Sequence, residues 1–144
     1  MYFKCGGIRD STLNCPGYGL EIYFQGCHKG CKGCHNPQFQ DPRGGVFKDT
    51  DDIIEMIEKA DIYDSLIFVG GEPLEQMDAT IKLVMRSTLY NILYTGWEYE
   101  CIPHIVRANM DMIISGPYIE ENATNGFPAS SNQQVTHKRK NDEA

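Results

Sequence analysis

No stretch of the chain approaches the run of about 18 apolar residues that a membrane-spanning helix needs, so a membrane partner is not expected. The opening residues, Met1-Tyr2-Phe3-Lys4-Cys5-Gly6-Gly7, lack the apolar core of a secretory signal. Positive charge is also scarce. The 13 Lys and Arg face 20 Asp and Glu, a net charge of −7. Such a chain has no global field to draw phosphate backbones, which argues against nucleic acid as a partner. The one basic run, His137-Lys138-Arg139-Lys140, is followed by Asp142 and Glu143 and reads as a solvated tail from about residue 136. These absences together predict a cytoplasmic protein.

What is present is ordinary for a globular chain. At 41% apolar and 23% charged residues, disorder and fibrous classes are excluded. The 144 residues predict one domain, 1–144, long enough for a core without staples. Cysteine usage is less ordinary. Of the six cysteines, Cys27, Cys31 and Cys34 fall within eight residues, while Cys5, Cys15 and Cys101 are scattered. Thiols stay reduced in a cytoplasmic pool, and such crowding suits a metal or redox centre better than structural bridges.

Hydrophobic periodicity predicts four strands separated by helices. Leu20 to Gln25 alternates, with Leu20, Ile22 and Phe24 on one face. A helix is expected from Thr50 as N-cap, carrying an apolar stripe of Ile53, Met56, Ile57 and Ala60. Ser65 to Val69 is a short continuous apolar run and reads as a strand buried on both faces. A second helix is expected over 78–88, with Ile81, Val84, Met85 and Thr88 on one side. A third strand follows over 90–94, then a helical stretch over 97–108 that Pro103 must break or kink, and a fourth strand over 110–115. Loop is expected beyond Gly116-Pro117. This is the βαβ grammar of a parallel sheet, whose ligand sits beyond the carboxyl ends of the strands.

The segment Gly26-Cys27-His28-Lys29-Gly30-Cys31-Lys32-Gly33-Cys34-His35-Asn36-Pro37 has the spacing C-x3-C-x2-C. Three thiolates in one loop can converge on an iron–sulfur cluster and leave one iron open to a non-protein ligand. The spacing also admits a zinc site with His28 or His35 as fourth ligand, or a thioredoxin-like pair at Cys31 and Cys34.

With Gly70-Gly71-Glu72-Pro73 after the second expected strand, these cysteines closely resemble the signature of the radical S-adenosylmethionine enzymes. Further segments resemble the activating proteins of anaerobic ribonucleotide reductases. They are Pro16-Gly17, Phe24-Gln25-Gly26-Cys27, Gly33-Cys34-His35-Asn36-Pro37, Thr95-Gly96-Trp97, Gly116-Pro117-Tyr118 and Ser130-Ser131-Asn132-Gln133. The chain departs from that family at Asn14-Cys15 and Gly19 in place of Asp-Gly and Arg. It departs again at Ser115 in place of Asp, and at Pro128-Ala129 in place of Arg-Gly.

The resemblance implies an α/β fold: an abbreviated, open partial (β/α) barrel with a parallel sheet. It implies a 4Fe-4S cluster on Cys27, Cys31 and Cys34, with S-adenosylmethionine on the open iron. Gly33, Cys34 and His35 would contact adenine, and Gly70, Gly71 and Glu72 would receive the amino group. The implied reaction makes a glycyl radical on the large subunit of anaerobic ribonucleoside-triphosphate reductase, with electrons from a flavodoxin- or ferredoxin-like donor. A formate-lyase-type activase, a small radical enzyme acting on a metabolite, and a non-catalytic zinc- or cluster-binding domain stand as alternatives.

Overall fold

The computed structural model describes residues 1–138. Seven strands form one sheet: β1 (Tyr2–Ser11), β2 (Gly19–Phe24), β3 (Val46–Asp49), β4 (Ser65–Gly70), β5 (Tyr90–Tyr94), β6 (Met112–Ser115) and β7 (Gln134–His137). Their order is β3-β1-β2-β4-β5-β6-β7. The central strands β2, β4, β5 and β6 are parallel. The flanking strands β1, β3 and β7 run antiparallel to their neighbours. The parallel core matches the expected grammar, and the sheet remains open, since β3 and β7 end it on opposite sides.

The three antiparallel strands are additions to the four expected. β1 is broken by a register shift between Cys5 and Gly7, which interrupts the alternation that would have marked it. β3 and β7 are four-residue edge strands, too short for a pattern. β7 also corrects the expectation of loop beyond residue 117. Thr136 and His137 pair with Ile113 and Met112, so they belong to the sheet and not to a tail. Lys138 follows, its amide donating to the Asp111 carbonyl at 2.9 Å. The remainder of the expected tail, 139–144, lies outside the described residues.

Three helices join the parallel strands: α1 (Thr50–Ala60), α2 (Met77–Arg86) and α3 (His104–Asn109). The N-cap of α1 is Asp49, not Thr50. The Asp49 carboxylate accepts from the Asp51 amide at 3.0 Å, satisfying a free donor of the first turn. Asp51 and Asp52 lie at the positive end of the helix as expected. Its buried face is Ile53, Ile54 and Ile57, while Met56 and Ala60 of the expected stripe are exposed. The face of α2 is likewise rotated, to Ala79, Thr80, Leu83 and Val84, and Met85 is exposed. A 3-10 turn over Pro73–Gln76 delivers the chain into α2 and sets that rotation. The stretch over 97–108 splits, as Pro103 requires, into a 3-10 turn (Tyr99–Cys101) and the short α3.

The helices cover one face of the sheet. Phe24, Leu66, Phe68 and Leu93 meet Ile57, Leu83, Val84 and Val106 in the main core. The other face carries only a small cluster of Ile67, Ile92, Met112 and Ile114. Phe68 is fully buried and its ring stacks on Phe24 at a centroid separation of 6.1 Å. Phe68→Ala should therefore cost about 3–5 kcal/mol, read as a lower denaturant midpoint at unchanged slope.

Candidate functional site

The parallel strands all end on one edge of the sheet, and each passes into a glycine turn: Gly26 after β2, Gly70-Gly71 at β4, Gly96 after β5 and Gly116 after β6. A cavity of about 350 Å³ opens there. It is lined by Cys27, Cys31, Cys34 and His35, and by Gly70, Gly71 and Glu72. Of the residues expected at a site, Gly33 alone does not line it. Gly33 is exposed, has φ +73°, and lets the cysteine loop turn close against the Glu120 side chain.

The cysteine loop is tied at both ends. The Gly26 amide donates to Phe39 carbonyl at 2.7 Å and the Cys27 amide to Gln40 carbonyl at 2.9 Å. Buried Gln25 donates to the carbonyls of Gln38 and Asp41, fixing the returning chain. Within the loop, Cys34 amide donates to Cys31 carbonyl at 3.1 Å, and Asn36 amide to Cys34 Sγ at 3.4 Å. Burial pushes the Cys27 thiol above its ordinary range, and the backbone at Lys29 and Gly30 pulls it partly back. All six cysteines are unbridged.

The residues weighed for zinc do not gather. His28 lies off the cavity, its amide donating to Glu75 Oε2 at 2.8 Å and its ring paired with the same carboxylate. His35 packs its ring against Tyr118 at 4.9 Å. Among the described residues, no group of three or more His, Cys, Asp or Glu is arranged around a single ion. Cys27, Cys31 and Cys34 do line one cavity, and three thiol donors are the ligand type that an iron–sulfur cluster takes.

Gly70 and Gly71 are glycines for steric reasons. A Cβ on Gly70 would stand 2.4 Å from the Phe24 nitrogen, and one on Gly71 would stand 2.4 Å from the Gly26 carbonyl oxygen. The end of β4 is therefore pressed directly onto the end of β2. Glu72 follows and is 1% exposed. Its carboxylate accepts from the Leu74 amide at 2.9 Å, the Thr95 hydroxyl at 2.8 Å and the Gly96 amide at 2.7 Å. Burial pushes its pKa up, and those three donors pull it down. Glu72 thus joins the turns after β4 and β5 while facing the cavity.

The opposite wall was not foreseen. Arg9 of β1 lies directly across from Glu21 of β2, with Arg9 Nε donating to Glu21 Oε1 at 2.8 Å. The Tyr23 hydroxyl donates to the same oxygen at 2.9 Å. Burial first, and Glu21 second, push Tyr23 up to about 12. Tyr94, also on the cavity, is held at about 12 mainly by burial. Glu21 and Tyr23 were visible as the polar positions of an alternating strand. Arg9 carried no signal, because β1 was not legible.

The late Ser-Ser-Asn-Gln segment forms a clasp over the turn after β6. Gln133 Nε2 donates to Gly116 carbonyl at 3.2 Å, and Asn132 Nδ2 to Pro117 carbonyl at 3.0 Å. Ser130 Oγ accepts from Ile119 amide at 3.3 Å.

The cysteine motif and the Gly70-Gly71-Glu72 turn, the two segments that carry the resemblance to the radical S-adenosylmethionine enzymes, thus line one cavity at the parallel strand ends. The chain belongs to the 4Fe-4S single cluster domain family, whose model matches residues 13–136. It is 32% identical over 76 residues to the pyruvate formate-lyase-activating enzymes of Listeria monocytogenes and Listeria innocua. That match covers 49% of this chain and 31% of each relative, so the chain spans about a third of their length. The crystal structure of QueE from Escherichia coli superposes with a TM-score of 0.60 over 83% of this chain and 61% of that one. At 15% identity that likeness is one of fold.

Truncating Glu72 tests the tie. Glu72→Ala leaves the Thr95 hydroxyl and the Leu74 and Gly96 amides without their acceptor. It should cost at least about 1–3 kcal/mol in chemical denaturation, with faster hydrogen exchange at Gly96.

Proposed function

We propose that the chain is a radical S-adenosylmethionine activase that generates the glycyl radical of anaerobic ribonucleoside-triphosphate reductase. The observation that carries this reading is the meeting of Cys27, Cys31 and Cys34 with the Gly70-Gly71-Glu72 turn on one cavity. The family match to a 4Fe-4S domain supports the cluster. In this reading Cys27, Cys31 and Cys34 would hold the cluster, which would supply the single electron for reductive cleavage of S-adenosylmethionine.

The chain supplies binding, orientation and exclusion of water. Gly70 and Gly71, packed bare against the end of β2, also line the cavity and would offer backbone carbonyls to the cofactor's ammonium group. The Glu72 carboxylate adds a charge-assisted partner, held in place by Thr95 and Gly96. Cys34 and His35 offer backbone and ring to adenine, with Tyr118 backing the His35 ring, while Gly33, off the cavity, supplies the turn between Cys31 and Cys34. Tyr23 and Tyr94 stay neutral at ordinary pH, so the wall facing the reacting centre carries no tyrosinate. The electron comes from a flavodoxin- or ferredoxin-like donor.

The pyruvate formate-lyase-activating relatives support a glycyl-radical enzyme as the target and give the second reading, a formate-lyase-type activase. The Ser130-Ser131-Asn132-Gln133 segment favours the reductase through its resemblance to the activating proteins of anaerobic ribonucleotide reductases.

Anaerobic reconstitution should load about four irons with visible absorbance that dithionite bleaches. Cys31→Ala should abolish 5′-deoxyadenosine formation. Stoichiometric zinc without sulfide, or cofactor cleavage surviving in Cys31→Ala, would sink the assignment.

A further inference from the structure

A continuous strip of hollow surface leads along β1 to the cysteine cavity. It begins beside the end of β3, in a hollow of about 250 Å³ bounded by Gly7, Ile8 and Val46. At Gly7 and Ile8 it meets a second hollow of about 240 Å³, whose far wall is Arg9, Tyr23 and Asn36. Those same three residues line the cysteine cavity.

The strip follows an unpaired strand edge. β3 pairs with β1 only from Tyr2 to Cys5. Among the described residues, Gly7–Ser11 therefore has β2 on one side and no strand on the other. Alternate residues of such a run aim their N–H and C=O groups outward, ready to accept another strand. The face of the strand is also clear at Gly7, where an added Cβ would meet no atom within 4 Å.

Arg9 stands where this edge enters the cavity. Its Nε is taken by Glu21, and its side chain is 67% exposed, leaving the outer guanidinium nitrogens turned to solvent. Glu21 already balances its charge. The remaining donors therefore suit a neutral backbone carbonyl better than a second carboxylate, which would also face Glu21 and Glu72. The five-residue edge spans roughly 16 Å, the reach of an extended peptide and not of a small metabolite.

We propose that an extended segment of the target polypeptide adds as a strand along Gly7–Ser11, and that Arg9 grips its backbone carbonyls as it turns into the cavity. This rests on the activase reading and specifies how its partner is recognised.

The test uses the reconstituted full chain with the reductase large subunit. Adding the subunit should slow hydrogen exchange across Gly7–Ser11 by about tenfold or more. Arg9→Ala should lower glycyl radical yield, read by electron paramagnetic resonance, by about tenfold more than it lowers target-free 5′-deoxyadenosine formation. Gly7→Val, whose new side chain would fill the hollow that Gly7 lines, should produce the same split by narrowing the strip. Wild-type radical formation without protection of Gly7–Ser11, or with both variants unimpaired, overturns the strand-addition proposal and leaves the activase reading standing. Cofactor cleavage without any radical on the subunit overturns the activase reading and this proposal with it.

Discussion

Three parallel strands converge on the residues around Glu72. Its backbone amide donates to the Gly26 carbonyl beyond β2, and its carboxylate accepts from Thr95 and Gly96 beyond β5. A buried carboxylate is tolerated only when its oxygens are satisfied. Those donors are all supplied by the turns it joins, so the carboxylate and the turns hold one another. The steric condition is as strict. Gly70 and Gly71 touch the backbone of Phe24 and Gly26 so closely that no side chain fits. The cysteine loop starts from Gly26 and inherits its position from this junction.

The two faces of the sheet explain why the cavity exists. The helix face is filled by large residues from β2, β4 and β5 against all three helices. The other face has no helix layer and only a thin apolar cluster near the middle of the strands. Towards the carboxyl ends it turns polar, with Glu21, Tyr23 and Tyr94 lining the cavity. A sheet that stops at short edge strands does not close on itself. The cavity is thus bounded by loops, among them the cysteine loop and the clasp built from Asn132 and Gln133.

Legibility in the sequence followed burial. β2, β4 and β5 carry enough apolar residues to be read, and Gly70-Gly71-Glu72 and the cysteine motif were picked out as residues that the fold then brings onto one cavity. The helices were found but their faces were misjudged by about a quarter turn. Ile54 and Leu83 are buried while Met56 and Met85 face solvent, because the entry turns set rotation and the turns were not predictable in detail. β1 was missed since Gly6, Gly7 and a register shift erase its alternation. With β1 went Arg9, whose meaning depends wholly on its cross-strand neighbour Glu21. Glu72 was expected at a cofactor from resemblance, whereas its bonds to Thr95 and Gly96 join residues more than twenty positions apart, which no local pattern reveals.

Charge around the cavity bears on what it can hold. Its walls carry Glu21 and Glu72 against Arg9 and Lys29. Those side chains balance as long as the three cysteines keep their protons. Deprotonating Cys27, Cys31 and Cys34 leaves a concentrated negative excess that no side chain on the cavity offsets, in a place where burial already resists a thiolate at Cys27. A cationic iron–sulfur core and a cofactor bearing sulfonium and ammonium groups are the charges that would close that excess. The cationic part of the lining is carried by Lys29 in the cysteine loop and by Arg9 on the first strand, which lies beyond the stretch of β1 that β3 pairs.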